Sequence, residues 1–277
     1  MVIVNIGNGM GNQLFCYACG YAVARHDNDT LKLDTSDCDN SKIRKFELDN
    51  FNLDNFLRES FSNRTMWQKA YKRLRRIIIY KIIYEDQGGD FDNLRIFKKK
   101  KIRNKYLYGY WQDYRIFDLY KDDLMRQFNP SYELSPNVKK LIDDLSSNNT
   151  CAIHIRTGDI TPLPLDYFKR AIDYIGSIKQ GLKYIVFSNC INKTVDLLEG
   201  IENENIVMAR ELGGFSDIDE FFIMKACQNQ IIANSTYSWW AAYLNDFYDK
   251  IVIAPDLGKC SNKMYPQDWK KILYNKN

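Results

Sequence analysis

The feature that most constrains this chain is a series of short apolar runs in its second half, each followed by residues at helical spacing. TCAIHIR (150–156), KYIVFS (183–188), NIVMA (205–209), QIIAN (230–234) and KIVIA (250–254) read as strands, apolar on both faces as buried parallel strands are. Helical segments fall between them, near 165–179, 192–200, 216–228 and 235–246. Such alternation predicts a doubly wound α/β sheet, in which ligands bind beyond the carboxyl ends of the strands. Polar residues collect at those ends. The first run passes into His154, Arg156, Gly158 and Asp159, and the second ends in Ser188 and Asn189. Gly213, Gly214, Ser216, Asp217 and Asp219 follow the third, and Asn234, Ser235, Thr236 and Ser238 the fourth. Together they describe one polar rim on one edge of a sheet.

The first half opens in a similar way. VIVNI (2–6) reads as a strand, Gly7, Gly9 and Gly11 precede a helix from about Asn12 to His26, and TLKLD (30–34) reads as a second strand. YLYGY (106–110) is a further strand candidate, and NPSYELSP (129–136) reads as a boundary. The expected division is an N-terminal α/β domain over 1–140 and a C-terminal one over 141–277. The loop GNGMGNQLF (7–15) has the small residues that let backbone N–H groups approach an anion at a helix start. Its spacing is neither the dinucleotide fingerprint nor a Walker loop, so a plain strand-to-helix turn is the alternative.

Composition excludes several classes. With 277 residues, 45% of them apolar and 14% aromatic, the chain has ample material for a core. A net charge of +4 is too small to argue for nucleic acid, and none is expected as a partner. Seven cysteines, an odd and scattered set, read as reduced core residues, including the C-x-x-C of Cys16 and Cys19. The N-terminus lacks a signal-peptide pattern and no run reaches a membrane span, so an intracellular, cytoplasmic protein is expected. Two histidines and no H-E-x-x-H argue against a catalytic zinc. The D-x-D at Asp217 and Asp219 reads either as a metal–diphosphate motif or as a helix cap with Ser216, and that at Asp37 and Asp39 as turn chemistry. Residues 64–83 carry seven Lys/Arg and no acid, with Trp67, Tyr71, Leu74 and Ile78 at helical spacing. This reads as a basic amphipathic helix, suited to peripheral contact with an anionic membrane or to a buried role with a solvated flank. KKKKIRNK (98–105) reads as a solvated loop that adds to the same face.

Four segments, in order, resemble one family, the bacterial α-1,2-fucosyltransferases: GNGMGNQLFCYA (7–18), GYWQDYRIF (109–117), HIRTGD (154–159) and DIDEFFIMKACQNQIIANSTYSWWAAYL (217–244). The resemblance implies a two-domain glycosyltransferase B fold with two Rossmann-like halves, the N-terminal one on the acceptor side with the glycine loop and basic helix, and the C-terminal one holding the GDP-sugar. It implies inverting transfer of L-fucose from GDP-fucose to a galactoside or lipid-linked saccharide acceptor in surface polysaccharide synthesis, with no cofactor and no metal. Carried over by motif, Arg156 holds the β-phosphate, His154 lines the nucleotide pocket, Asp219 faces the guanine, and Ser235, Thr236 and Ser238 border the diphosphate. Gly9, Gly11, Asn12, Ser188 and Asn234 complete the expected donor contacts. The chain departs from the family at Thr157, where a second arginine is usual, and at Asn189 and Cys190, where an acidic pair is usual. Those departures leave room for a related donor such as GDP-colitose.

The chemistry suits arginine. Breaking a sugar–diphosphate bond builds negative charge on the leaving group, and a guanidinium stays protonated and binds phosphate through two parallel hydrogen bonds. Asp159 and Asp166 are the nearest candidates for a base on the acceptor hydroxyl, with Asp159 alongside Arg156 and His154 in the expected catalytic set. A nucleotide-dependent oxidoreductase lacks its G-x-G-x-x-G here, and a non-catalytic sugar- or polyanion-binding module leaves the rim without a use.

Overall fold

The computed structural model describes residues 1–54, 56–59, 81–85, 92–98, 104–157, 161–201, 205–258 and 261–274. They form two α/β units, Met1–Tyr132 and Glu133–Asn277. The expected boundary at 140/141 falls inside a helix, Pro136–Ser147, which packs on Asp217–Ala226 and so goes with the second unit.

In the first unit, β1 (Val2–Asn5), α1 (Met10–Asp27), β2 (Leu31–Asp34), α2 (Ser36–Asp39), β3 (Leu57–Glu59), β4 (Lys81–Tyr84), α3 (Arg95–Lys98), β5 (Lys105–Tyr108) and α4 (Lys121–Gln127) follow one another. The strands form a parallel sheet in the order β3-β2-β1-β5-β4. α1 starts earlier than the sequence suggests, with Gly9 as its N-cap, and ends at left-handed Asn28, whose N–H reaches the Ala24 and Arg25 carbonyls. The helix is buried along most of its length and lies hard on the sheet at Gly20, where a Cβ would sit 2.8 Å from Val4 Cγ1 and 2.9 Å from Leu31 Cδ1. In the glycine loop the left-handed residue is Asn8 (φ 64°). Fully buried Gln13 holds this turn: its Nε2 donates to the Asn8 and Lys45 carbonyls at 2.8 and 2.7 Å, and its Oε1 accepts from Glu47 N–H at 2.9 Å.

The second unit runs α5 (Pro136–Ser147), β6 (Thr150–Ile155), α6 (Leu165–Ile178), β7 (Lys183–Ser188), α7 (Ile191–Leu198), β8 (Ile206–Met208), α8 (Asp217–Ala226), β9 (Asn229–Ile231), α9 (Thr236–Tyr243), β10 (Val252–Pro255), α10 (Ser261–Met264) and β11 (Lys270–Ile272). Ser135 caps α5 by accepting from Val138 N–H, with Pro136 at the first helical position. All six strands are parallel, in the order β8-β7-β6-β9-β10-β11. Numbered within the unit this is the doubly wound order of dinucleotide-binding domains, which reverses between β6 and β9. Cys151, Ile153 and Ile155 face one layer of the core with Tyr167, Phe168, Ala171, Ile172 and Ile175 of α6. The strand pleat therefore turns His154 to the opposite face.

Several expectations meet the structure unevenly. Gly158 and Asp159 lie outside the described residues, as do 64–80 of the basic segment. Lys81–Tyr84 at that segment's end form a strand and do not continue a helix, in keeping with β-branched and aromatic residues beside a parallel partner. Lys105, read as part of a solvated loop, opens β5, is 1% exposed, and pairs with Asp27 Oδ2 at 2.6 Å. Six cysteines among the described residues are free, five of them buried. Burial pushes the Cys16 and Cys19 thiols well up, which leaves them unreactive.

Candidate functional site

The rim of the second unit forms where its strand order reverses. β6 ends at Ile155 and delivers His154, Arg156 and Thr157. β9 ends at Ile231 and delivers Asn234, Ser235 and the start of α9. Connections leave the two neighbouring strands in opposite directions at such a point, which opens a crevice.

His154 is 5% exposed, and its ring lies 5.7 Å from that of Tyr237, the second residue of α9. Tyr237 is in turn fixed by its hydroxyl, which donates to the Asp217 carbonyl, and by Phe221, 5.4 Å away edge to face. Burial, and then the charge of Arg156, push the His154 pKa down to about 3. The imidazole is thus neutral at physiological pH, and its buried Nδ1 has no hydrogen-bond partner among the described residues. A neutral ring beside an arginine leaves the positive charge of the rim on the guanidinium.

Ser235 is the N-cap of α9, yet its hydroxyl makes no capping bond. The first-turn N–H groups of a helix have no partner within it, so with Thr236 they give this end anion-binding character. Asn234 Nδ2 donates to the Thr161 carbonyl at 3.3 Å, while its buried Oδ1 has no partner among the described residues. Ser238 is fully buried and donates to the Ser235 carbonyl, so it supports the turn from within. Ser188 is likewise turned inward: its hydroxyl lies 2.6 Å from Thr194 Oγ1 and accepts from Cys190 N–H. Asp219 takes part in a cap on α8, with Ser216 Oγ 2.6 Å from its carboxylate and accepting from its N–H. Two of the three positions at which the chain departs from the motif, Thr157 and Asn189, are bonded to each other. Thr157 N–H donates to Asn189 Oδ1 at 2.9 Å, and Asn189 Nδ2 donates back to the Thr157 carbonyl. This amide bridge ties the ends of β6 and β7 without a charge.

The first unit has its own cavity, of about 300 Å³, lined at the carboxyl ends of β1, β5 and β4 by Asn5, Tyr108 and Tyr84 among others. Here too the strand order reverses, between β1 and β5. Gly9, Gly11 and Asn12 do not line this cavity; Gly7 and Asn8 do. Asn12 Oδ1 instead accepts from Gln112 Nε2 at 2.9 Å. Glu85 organises one wall, accepting from Tyr110 N–H at 2.6 Å and from Gln112 N–H at 2.9 Å. Between them Trp111, 1% exposed, is held in the left-handed region at φ 57°, and Gly109 just before them takes φ 150°, open to glycine alone. Sequence reasoning missed Glu85 and Tyr237. A carboxylate 25 residues from the N–H group it holds leaves no local pattern, whereas Tyr237 stood inside a segment already marked as polar rim.

Among the described residues no group of three or more His, Cys, Asp or Glu side chains is placed to hold a metal ion. No described helix is long and apolar enough to cross a membrane.

Two parallel α/β units, each with its own switch point, make up the glycosyltransferase B-type fold. The chain belongs to Glycosyl transferase family 11, whose profile matches residues 1–274. Among curated proteins it is 30% identical to the O-antigen biosynthesis glycosyltransferase WbnK of Escherichia coli, over 95% of this chain and 98% of that one. It is 26% identical to an alpha-1,2-colitosyltransferase of Escherichia coli, over 92% of this chain and 91% of that one. Among solved structures it shares its fold with fucosyltransferase NodZ from Bradyrhizobium (TM-score 0.51, 14% identity, 87% of this chain and 92% of that one). A mutant of Arabidopsis thaliana FUT1 in complex with GDP is similar as well (TM-score 0.52, 11% identity, 92% of this chain and 70% of that one).

Proposed function

We propose that the chain transfers L-fucose from GDP-fucose, with inversion, to a galactoside hydroxyl in an α-1,2 linkage, during O-antigen or related surface-saccharide synthesis. The observation that carries this reading is the rim at the β6/β9 switch point, where buried, neutral His154 lies against Tyr237 of α9, whose N-cap Ser235 makes no capping bond, and Arg156 follows two residues on in the sequence. Arg156 supplies the charge for the departing diphosphate, with Ser235 and Thr236 as further donors, so the reaction proceeds without a metal. Asp219 and Asn234 are assigned to the nucleotide side. Asp159 and Asp166 are the candidate bases on the acceptor hydroxyl; Asp166 pairs through Oδ1 with Arg170 at 2.9 Å, and its buried Oδ2 has no hydrogen-bond partner among the described residues. The kinship with an O-antigen glycosyltransferase supports the pathway, and the GDP-bound fold relative supports the donor.

The test is to incubate the protein with GDP-fucose and a panel of galactosides, then analyse the linkage of the product. Stabilisation by GDP but not by NAD is expected in thermal melts. No GDP stabilisation and no transfer from any GDP-deoxysugar would sink the reading. GDP-colitose is the second donor to assay, because the chain resembles a colitosyltransferase and carries the uncharged Thr157–Asn189 bridge. For a lipid-linked acceptor we infer cytoplasmic, peripheral contact with anionic membrane through residues 64–83, which salt-dependent co-sedimentation with anionic vesicles checks.

A further inference from the structure

The strand pair that carries Arg156 ends before Arg156 does. β6 and β7 run in parallel register from Thr150 opposite Lys183 to Ile155 opposite Ser188, and there the backbone ladder stops. Arg156 and Thr157 lie beyond it, and residues 158–160 lie outside the described ones. A side chain one residue past the last ladder pair takes its direction from whatever fixes the backbone on its far side. At Thr157 that group is Asn189. Its Oδ1 accepts from Thr157 N–H at 2.9 Å, and its Nδ2 donates to the Thr157 carbonyl. A carboxamide has an acceptor and a donor, as a peptide unit has, so the Asn189 side chain stands in for the next backbone partner of the ladder. Arg156 is thereby held on both sides, by the Ile155–Ser188 pair before it and by the clamp on Thr157 after it.

The clamp is itself anchored. Asn189 sits between Ser188, the last residue of β7, and Cys190, the N-cap of α7. Cys190 N–H donates to Ser188 Oγ at 3.1 Å, and its carbonyl accepts from Thr194 Oγ1 at 2.8 Å. The two hydroxyls lie 2.6 Å apart and both residues are buried, so the turn that presents Asn189 is pinned from beneath. Asn189 is exposed while Thr157 is 3% exposed, so the amide covers a buried segment from the solvent side. It is also uncharged. A carboxylate at this position offers acceptors only: it can take the Thr157 N–H, but it meets the Thr157 carbonyl oxygen with like polarity. It also sets a negative charge beside the residue next to Arg156, in competition with a diphosphate for the guanidinium.

We infer that Asn189 is a positioning residue for Arg156: by holding both backbone groups of Thr157 it fixes the direction in which the guanidinium leaves β6, and it acts through Thr157 rather than by contact with the substrate. The inference rests on the transferase reading for what the guanidinium meets. The order imposed on Arg156 follows from the hydrogen bonds themselves.

The experiment takes two readouts from the same full-length variants. In the first, transfer from GDP-fucose is followed in the wild type, Asn189→Ala, Arg156→Ala and the double variant. Asn189→Ala is expected to lower kcat at least about tenfold, inside the ~10²–10³ assigned to the guanidinium, with a smaller change in KM for the donor. In the Arg156→Ala background it should cost nothing more, because a positioning residue has no effect once the group it positions is gone. Asn189→Asp, the same shape without the donor, should recover at most part of the loss. The second readout needs no substrate. The Arg156 Nε–H resonance, identified by its disappearance in Arg156→Ala, should show a rigid heteronuclear NOE in the wild type and a clearly lower one in Asn189→Ala. Asn189 is exposed, so its variants should melt near the wild type. Near-normal kcat in Asn189→Ala, losses that multiply in the double variant, full turnover in Asn189→Asp, or an Arg156 NOE untouched by Asn189→Ala would overturn the inference. Wild-type protein that transfers from no GDP-deoxysugar would overturn the transferase reading instead, and the NOE would then decide this one alone.

Discussion

At the scale of single residues, two buried ionisable groups have opposite consequences. His154 is held neutral by burial and by Arg156, with its pKa down to about 3 against an ordinary value of 6.5. A base whose folded pKa is depressed binds fewer protons folded than unfolded across that interval, so its contribution to stability is complete above pH 6.5 and is lost as pH falls toward 3. The slope from this one group is at most about 1.4 kcal/mol per pH unit. Urea unfolding of the wild type and of His154→Gln at pH 7, 6, 5 and 4 should show the wild type losing stability faster below pH 6.5. Parallel curves would mean the ring is not buried neutral. Lys105 is buried as well, but charged and paired with Asp27, which is 9% exposed. Removing one partner of such a pair strands the other, at a cost of about 3–5 kcal/mol, whereas replacing both by apolar residues is often close to neutral. Lys105→Met should therefore lower the denaturation midpoint sharply, and Lys105→Met combined with Asp27→Leu should restore most of it. A double variant as unstable as the single would show that packing, and not the stranded charge, is at fault.

At the scale of elements, close approach decides what a helix can carry. Alanine in place of glycine normally favours a helix interior by about 1 kcal/mol. At Gly20 of α1 the added Cβ would press on Val4 and Leu31 at 2.8 and 2.9 Å, contacts made by two packed strands that cannot yield cheaply. Overpacking of this kind costs about 1–3 kcal/mol, so Gly20→Ala should be net destabilising in a thermal or urea melt despite the better helix former. A more stable variant would mean that α1 sits further from the sheet. The same elements show what the sequence made legible. β6 and β7 are continuous apolar runs with every described residue of β6 buried, and the runs at 150–156 and 183–188 announced them. β3 (LRE) and β11 (KKI) went unread because edge strands carry charge and need no apolar pattern. β9 is shorter than its apolar run suggested and begins on Asn229, a buried amide satisfied only by the Thr150 carbonyl and the Ile251 N–H of neighbouring segments. Trp111 in the left-handed region was equally hidden, since its conformation is imposed by contacts remote in sequence.

At the scale of the whole molecule, each parallel sheet has one switch point, between β1 and β5 in the first unit and between β6 and β9 in the second. The second unit's rim was legible before its geometry because strand ends in a doubly wound sheet are fixed by order alone. Which hydroxyls face outward was not: Ser188 and Ser238 turn inward, while Ser235 leaves its hydroxyl uncapped. Arg156 is the group on which the proposed chemistry turns, and its role is separable from stability. A guanidinium at the end of β6, half-buried at the sheet edge, is not part of the core packed between β6 and α6. Arg156→Ala should therefore melt near the wild type yet transfer fucose about 10²–10³-fold more slowly, the typical loss for one preorganised transition-state donor. Arg156→Lys should recover little, because an ammonium lacks the planar two-pronged donor that fits a phosphate. Wild-type transfer should persist in excess EDTA. Melting temperature and rate measured on the same samples distinguish this from a structural ion pair, which predicts a lowered melting temperature with near-normal turnover per folded molecule. Activity abolished by EDTA and restored by Mn²⁺ would move the charge of the reaction from Arg156 to a bound ion, and would bring Asp217 and Asp219 of α8 back as its ligands.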